Sequence, residues 1–282
     1  MRQAIGHYSH EPERLRLRRS PPANLKNSPP QRMPKKILYS PNSAGPFAIS
    51  RAKIQLFSEC PRCFYLDQRL GVGRPPSLPF TLNDAVDKLM KNEFDAYRDS
   101  QTTPPLLAQA GLAVVPYRHA DLADWRNFRK GLRALHAPTN FDVYGALDDI
   151  WVDPATDTLV VADYKATAKK DEATIDGEWQ ISYKRQVELY QWLLRERGFP
   201  VADTAWFVYA NGNSAAEAFN ARLEFRVTLL SHHGDTSWVV PVLESIKATL
   251  NSETLPPPGK KCTYCKYLAS AAQALAPCDS DS

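Results

Sequence analysis

Apolar residues recur at the three- and four-residue spacing of α-helices in the first part of the chain that shows periodic patterning. Ser50 can cap a first helix that carries Ile54, and an apolar stripe predicts a second helix from about Leu82 to Arg98. A similar spacing over residues 121–135 predicts a third helix. The chain is therefore expected to begin its folded part with helices.

The middle of the chain changes to runs of β-forming residues. Phe141–Val152 and Thr158–Ala166 are two such runs, and the turn-forming segment Asp153–Asp157 between them predicts a β-hairpin. The elements predicted beyond the hairpin are a long amphipathic helix (Trp179–Arg197), two strands (Ala205–Tyr209 and Leu223–Leu230) and a last helix (residues 237–250). This order predicts an α/β domain with a central sheet and helices before and after it.

Three charged residues interrupt the apolar hairpin. We place the centre of its turn between Ala155 and Thr156. This register puts Asp148 opposite Asp163, and the two-residue period of a strand places Lys165 on the same face. Neighbouring buried carboxylates repel each other unless a cation lies between them, and Mg²⁺ prefers oxygen ligands. The pattern indicates a metal site in which Lys165 orients a water molecule, with an Asp–Lys ion pair at a strand end as the alternative.

Polar residues also enter the apolar stripes of the predicted helices. Gln186 and Tyr190 lie four residues apart, where they can hydrogen-bond to a carboxylate–lysine site; a glutamine on the helix surface is the alternative. Asp87 and Glu93 flank the stripe of the earlier helix, and either can supply a third carboxylate. The segment Trp125–Lys130 mixes aromatic and basic residues, which predicts a helix with a solvated basic face, base stacking being the alternative.

Four of the five cysteines form two Cys-x-x-Cys pairs. Cys60 and Cys63 stand about 200 residues before Cys262 and Cys265, and Cys278 is alone. In a reducing compartment such pairs are typical of a tetrahedral metal site or an iron–sulfur cluster rather than of disulfides. Buried reduced thiols without a metal are the alternative.

The net charge of +4 is distributed unevenly along the chain. Residues 1–36 contain nine Lys or Arg and two Glu, a balance of +7, so the other 246 residues carry −3. This segment also contains six prolines. We predict a disordered tail over residues 1–46, either a solvated leader or an arm that touches nucleic-acid phosphates. Since no apolar run suits a membrane span or a signal peptide, the sequence predicts a cytoplasmic protein without membrane contact.

Three motifs together resemble a known family. They are Gly145-Ala146-Leu147-Asp148, Val161-Ala162-Asp163-Tyr164-Lys165-Ala166-Thr167 and Gln186-x-x-x-Tyr190. These motifs are similar to those of the PD-(D/E)XK nuclease superfamily in its RecB-like branch, over about residues 47–268. The resemblance implies a three-layer α/β/α core of the restriction-endonuclease type, with a mixed central sheet and helical segments at both ends. Residues 269–282 would form a C-terminal tail.

The resemblance also implies roles for individual residues. Asp148 and Asp163 would bind Mg²⁺ or Mn²⁺ together with the carbonyl oxygen of Tyr164, and Lys165 would be catalytic. Asp87 stands where RecB-like relatives usually have His, and it would be a further metal ligand. The Gln-Tyr motif would belong to the same catalytic site.

The first cysteine pair extends the resemblance. The segment from Ser50 to Leu66 is similar to the opening segment of iron–sulfur RecB-like nucleases, found in AddB subunits and CRISPR adaptation nucleases. Those proteins use one N-terminal cysteine and a C-terminal Cys-x-x-Cys that a further cysteine follows. Here position 271 is Ala. We therefore predict that both Cys-x-x-Cys pairs hold a 4Fe–4S cluster, with Zn²⁺ as the alternative metal and Cys278 as a substitute ligand for one of the first pair.

The sequence as a whole predicts a metal-dependent DNA nuclease with a function in DNA repair or recombination. The alternative is a nucleic-acid-binding or scaffold protein that keeps the fold without turnover. The chain contains no Gly-x-x-x-x-Gly-Lys-Ser/Thr motif for nucleotide hydrolysis. Strand separation is therefore expected to need an accessible DNA end or a separate helicase or repair partner.

Overall fold

The computed structural model of the chain describes residues 37–76 and 80–275. Its helices are α1 (Arg51–Glu59), α2 (Pro61–Gln68), α3 (Thr81–Ser100), α4 (Pro105–Gln109), α5 (Leu122–Trp125), α6 (Ile181–Glu196), α7 (Val239–Asn251) and α8 (Thr263–Leu275). Its strands are β1 (Phe47–Ser50), β2 (Val115–Pro116), β3 (Leu132–His136), β4 (Phe141–Gly145), β5 (Asp149–Asp153), β6 (Thr158–Thr167), β7 (Thr204–Gly212) and β8 (Phe225–His233). Among the described helices, none is long and apolar enough to cross a bilayer. The basic segment up to residue 36 and Cys278 lie outside the described residues.

The strands form two sheets. The smaller sheet has the order β1-β4-β3, and the larger sheet has the order β2-β5-β6-β7-β8. In the larger sheet β6 and β7 are parallel and the other neighbours are antiparallel, so this sheet is mixed, as predicted. The central position of β6 leaves its side chains covered by helices rather than by solvent.

Alternate residues of β6 face two different helix layers. Val161 packs in one core with Val187 of α6, whereas Val160 and Ala162 pack in another with Phe94 of α3. Because both faces are covered, this strand is a nearly continuous apolar run. One helix layer on each face confirms the three-layer α/β/α arrangement that the sequence predicts.

The hairpin of β5 and β6 has the predicted register. Asp149 pairs with Ala162 and Asp153 with Thr158, as expected for a turn centred between positions 155 and 156. The single strand predicted over Phe141–Val152 is wrong, since β4 belongs to the small sheet and β5 to the large one.

The break between β4 and β5 has a local cause. The ring of Tyr190 packs against Gly145, where a Cβ atom would come within 2.6 Å of it. The Tyr190 hydroxyl donates to the Ala146 carbonyl oxygen (2.5 Å), and Arg126 Nε donates to that of Asp148 (2.9 Å). Because side chains satisfy these carbonyl groups, the segment can leave both sheets without losing hydrogen bonds.

The helix predicted over residues 121–135 is wrong beyond Trp125. The helical part is α5, whereas Leu132–His136 is β3 and pairs with β4. Gly131 between them has φ +68°, a left-handed conformation that favours glycine. A Cβ atom at this position would also lie 2.8 Å from the Gly145 carbonyl oxygen. The helix has already ended at Trp125, and the glycine allows β3 to approach β4.

The two ends of the described chain meet beside the small sheet, where α2 contacts α7 and α8. Tyr39, which lies in the segment predicted as a tail, is buried and packs its ring edge-on against Phe47. Its hydroxyl donates to Asn251 Oδ1 (2.7 Å) at the end of α7. Ordered packing therefore extends to residues before β1.

Candidate functional site

The central strand β6 and the break before β5 bring several candidate site residues together. Asp163 and Lys165 alternate along β6, and Asp148 is the last residue of the break. The Tyr164 N–H donates to Asp148 Oδ2 (3.2 Å), which holds this carboxylate against β6. Asp148 and Asp163 are close enough to interact through their side chains.

Asp163 is fully buried and has two side-chain partners. Its Oδ1 accepts a hydrogen bond from Gln186 Nε2 (2.9 Å), and its Oδ2 forms an ion pair with Lys165 Nζ. Burial raises the pKa of Asp163 to about 7, because the Lys165 ammonium offsets only part of the desolvation and Asp148 adds repulsion. The carboxyl group therefore exchanges its proton near neutral pH.

Lys165 lies between acidic groups in an almost closed environment, with 15% of its side chain exposed. Burial disfavours its ammonium form, but the charges of Asp163 and Asp148 outweigh that effect and raise its pKa. Lys165 is therefore a cation at neutral pH. A buried cation of this kind can contact a phosphate oxygen or a water molecule, but it cannot act as a base.

Gln186 and Tyr190 connect the site to α6. Both are buried, and Gln186 Nε2 lies 3.4 Å from the Tyr190 hydroxyl oxygen in addition to its bond to Asp163. Since the Tyr190 hydroxyl also holds the Ala146 carbonyl oxygen, one helix face fixes both β6 and the break before β5. Gln186 is thus a buried residue with defined partners and not a surface glutamine.

A lysine that sequence reasoning did not single out lies inside the acidic cluster. Lys91 Nζ is 2.8 Å from Asp87 Oδ2 and 2.9 Å from Asp148 Oδ1. Asp87 therefore reaches Asp148 through Lys91, while Glu93 is exposed. The sequence signal that could have identified Lys91 is its position four residues after Asp87, on the same face of α3.

The pKa values of Asp87 and Asp148 are shifted in opposite directions. Burial raises the pKa of Asp87 by more than Lys91 lowers it. Burial acts in the same sense on Asp148, but Lys165 and Lys91 together lower its pKa below the ordinary value. Asp148 is therefore a carboxylate at neutral pH and can bind a cation.

The oxygen donors at Asp148 and Asp163 fit a hard divalent ion. Two carboxylates and the nearby Tyr164 carbonyl oxygen are ligands that Mg²⁺ and Mn²⁺ prefer. Asp163 Oδ2 is buried and accepts no hydrogen bond from the described residues, although it pairs electrostatically with Lys165. Asp87 reaches this pair of carboxylates through the Lys91 ammonium. Across residues 37–76 and 80–275, the four cysteines are the one group of three or more His, Cys, Asp or Glu side chains gathered closely enough to hold a metal ion.

Asp149, the next residue, belongs to the opposite face of the sheet. It is fully buried, and its carboxylate accepts hydrogen bonds from Arg98, from Arg126 Nη2 (2.9 Å) and from the Tyr164 hydroxyl (2.6 Å). Arg126 is therefore part of a buried ion network, and the solvated basic face predicted for its segment is wrong at this residue. Sequence reasoning did not identify either arginine as a partner of Asp149, because they lie 51 and 23 positions from it.

A second cluster joins the two ends of the domain. Cys60 caps α2, Cys63 lies in its first turn, and Cys262 and Cys265 lie at the start of α8. Their sulfur atoms all lie within 4.8 Å of one another, with Cys63–Cys262 at 3.5 Å and Cys60–Cys265 at 3.6 Å. All four are buried and free of disulfides. Four thiols gathered in this way can bind a metal.

Hydrogen-bond donors surround these sulfur atoms. Cys60 Sγ accepts from the Gly259 N–H (3.2 Å) and the Cys63 N–H (3.4 Å). Burial would raise the pKa of Cys60, but these hydrogen bonds outweigh it and lower the pKa to about 6. Arg74 Nη2 lies 3.6 Å from Cys262 Sγ. The environment therefore favours a thiolate at Cys60, which is the form that binds metals. Burial and the neighbouring thiols raise the pKa of Cys63 and of Cys265.

Comparison with known protein families agrees with this geometry. The family model of the PD-(D/E)XK nuclease superfamily matches residues 48–270. The matched range contains the hairpin, α6 and both cysteine pairs. A comparison with curated proteins found no match.

Proposed function

The chain belongs to the PD-(D/E)XK nuclease superfamily, since the matched residues cover well over half of its length, and we propose that it is a metal-dependent nuclease that hydrolyses phosphodiester bonds in DNA. The observation that carries this proposal is the buried Asp163–Lys165 pair on the central strand, with Asp148 beside it. Charges buried in an apolar sheet contribute little net stability. Their presence is explained by phosphate chemistry, which needs a metal ligand and a cation at one place.

In the proposed mechanism, Asp148, Asp163 and the Tyr164 carbonyl oxygen would hold Mg²⁺ or Mn²⁺. When bound, the ion supplies an activated water molecule and stabilises the charge that develops on the phosphate. Lys165 donates hydrogen bonds to this water or to a phosphate oxygen. Gln186 keeps the Asp163 carboxylate oriented through its 2.9 Å hydrogen bond.

We propose Asp87 as a further ligand, with Lys91 as a cation that bridges Asp87 and Asp148 while no metal is bound. The support for this role is the pair of contacts of 2.8 and 2.9 Å that Lys91 Nζ makes to the two carboxylates. Glu93 is exposed on α3 and is not proposed as a ligand.

Two substitutions test the proposed function. Lys165→Met and Asp163→Asn are each expected to reduce Mg²⁺-dependent cleavage by at least about 100-fold, because each removes charge that acts on the phosphate or the ion. The assay uses single-stranded, duplex and flapped DNA with purified protein. Lys130→Met is the matched control, since Lys130 is 61% exposed and pairs with Asp124 at the surface.

The outcomes distinguish an enzyme from a scaffold protein. If both active-site variants cleave DNA at the wild-type rate, the assignment of these residues is contradicted. DNA binding by the wild type without Mg²⁺-dependent cleavage would favour the alternative, a protein that keeps the fold without turnover. Circular dichroism and thermal unfolding of each variant show whether the fold is intact.

We also propose that the four cysteines hold a structural metal. The sulfur–sulfur distances of 3.5 and 3.6 Å are near the edge of about 3.8 Å expected for a tetrahedron with metal–sulfur bonds of about 2.3 Å. Thiolates on four separate irons of a 4Fe–4S cluster would lie roughly 6 Å apart. This spacing supports the alternative metal, Zn²⁺, over the iron–sulfur cluster. Elemental analysis of protein purified without oxygen distinguishes zinc from iron.

Individual features support proposals for the branch of the superfamily, the cellular process and the compartment. The Gln186 and Tyr190 pair on α6 supports the RecB-like branch, and with it a role in DNA repair or recombination alongside a separate helicase. The four free cysteines support a reducing compartment such as the cytoplasm. Co-purification with a helicase from cells and fractionation of cells test these two statements.

A further inference from the structure

Two aromatic side chains lie between the end of β6 and the first turn of α6. Trp179 is in the 3-10 turn Glu178–Gln180, and Tyr183 follows one helical turn later. Their rings pack edge to face, with centroids 5.3 Å apart and planes at 81°. Trp179 is 53% exposed, although it is one of the largest apolar side chains in the protein.

A lysine lies over each of these rings. Lys165 Nζ is 4.8 Å from the ring centroid of Tyr183, and Lys169 Nζ is 4.8 Å from the ring centroid of Trp179. The four side chains form a continuous row that runs from the partly buried Lys165 through Tyr183 and the exposed Trp179 to Lys169. We call this row the aromatic platform. It connects the candidate active site with the protein surface.

The backbone that carries the platform is anchored on both sides. The side chain of the buried Gln180 accepts a hydrogen bond from the Gly177 N–H (2.7 Å) and donates to the Thr174 carbonyl oxygen. The Lys169 N–H donates to Asn211 Oδ1 (2.8 Å) at the end of β7. The rings are therefore held in place before any ligand binds, which reduces the entropy that binding would cost.

A basic cleft lies beside the 3-10 turn that carries Trp179. It has a volume of about 580 Å³, and its lining includes Glu178 and Ile181, the residues on either side of the Trp179 and Gln180 pair. The basic residues that line it are Arg74, Arg185, Lys260 and Lys261. Arg74 pairs with Glu59 and Lys261 with Glu178, so the cleft has a net positive charge that comes from Arg185 and Lys260. An extended polyanion that contacts the platform can thus place further phosphates in this cleft.

We propose that the aromatic platform binds the unpaired bases of a DNA strand next to the bond that is cut, so that the substrate is single-stranded DNA or a single-stranded end. This inference rests on the proposed nuclease function. A base stacks on the exposed ring of Trp179, and Lys169 contacts an adjacent phosphate. Bases inside a duplex are covered by their neighbours, so only unpaired nucleotides can make this contact.

Binding in the absence of divalent ions tests the proposal separately from cleavage. The probe is a fluorescein-labelled 12-nucleotide oligothymidylate, with anisotropy as the readout in Mg²⁺-free buffer. Trp179→Ala is expected to weaken binding about tenfold through loss of one stacked base, whereas Trp179→Phe keeps most of the affinity. Tyr267→Ala is the matched control, because Tyr267 is a 73% exposed aromatic residue on α8.

A second probe separates stacking from charge and from folding. A strand of the same length with abasic sites has the same phosphates but no bases, so wild type and Trp179→Ala should bind it equally. A closed circular duplex, which has no ends, should show the same equality. The proposal is overturned if Trp179→Ala binds the oligothymidylate as tightly as the wild type, or if it loses the same factor on the abasic strand. Base stacking without any cleavage would support the platform and contradict only the nuclease function.

Discussion

The Asp163→Asn substitution tests whether folding raises the pKa of the buried Asp163 carboxyl group. The pKa of Asp163 is about 7 in the fully buried site, against about 3.9 for an aspartate in an unfolded chain. The folded state therefore binds this proton more tightly than the unfolded state. The free energy of unfolding consequently falls as the pH rises through 7, and asparagine removes this dependence.

The size of the effect follows from the linkage between proton binding and folding. With these two pKa values, protonation of Asp163 contributes about 2.7 kcal/mol to the free energy of unfolding at pH 5 and almost nothing at pH 8. The stability of Asp163→Asn relative to wild type should therefore rise by about 2.5 kcal/mol between pH 5 and pH 8. In the variant, Lys165 lacks its ion-pair partner at both pH values. The free-energy cost of the lost ion pair therefore cancels when the two pH values are compared.

Urea unfolding at the two pH values measures this difference. The buffer contains no magnesium or manganese and no chelator, so that a metal bound to the cysteines stays in place. Asp142→Asn is the control, because Asp142 pairs with Arg133 at the surface (2.5 Å) and such a pair contributes about 0–1 kcal/mol. Saturating Mg²⁺ should stabilise the wild type at pH 8 and leave Asp163→Asn unchanged. A relative stability that is the same at both pH values would refute the reasoning.

Three further predictions address other parts of the chain. Lys91→Met should tighten Mn²⁺ binding about tenfold, measured by calorimetry, because the ammonium 2.9 Å from Asp148 Oδ1 repels a divalent ion; unchanged affinity would contradict this role. Cys262→Ser should abolish stoichiometric zinc in elemental analysis and lower the melting temperature by about 5–10 °C, since the proposed metal would join α2 to α8. Deletion of residues 1–32, which lie outside the described residues, should leave the melting temperature and cleavage of short DNA unchanged.

The charged hairpin could be predicted because short-range rules determine it. The turn between Ala155 and Thr156 sets the register, and the alternation of a strand then places Asp163 and Lys165 on one face. The layer arrangement follows from the same information, since a continuously apolar strand needs a helix on each face.

The partners of these charges could not be predicted, because they come from segments far away in the sequence. Lys91 and Arg98 belong to α3, whose position on the sheet depends on packing that no local pattern encodes. The apolar spacing of residues 121–135 fits a helix as well as a helical turn followed by a strand. The left-handed Gly131 and the pairing of β3 with β4 decide between them, and tertiary contacts override local propensity in such cases.

Arg126 links the two charged clusters on opposite faces of the large sheet. Its Nε donates to the Asp148 carbonyl oxygen, its Nη2 to Asp149, and its Nη1 pairs with Asp95. The planar guanidinium has its donors in fixed directions, so these contacts fix the course of the chain at the break before β5. Asp148 immediately precedes Asp149, the first residue of β5, and the direction of the Asp148 carboxylate therefore depends on the ion pairs that hold Asp149. A buried ion pair contributes little net stability, so the orientation of Asp148 explains why this network is present.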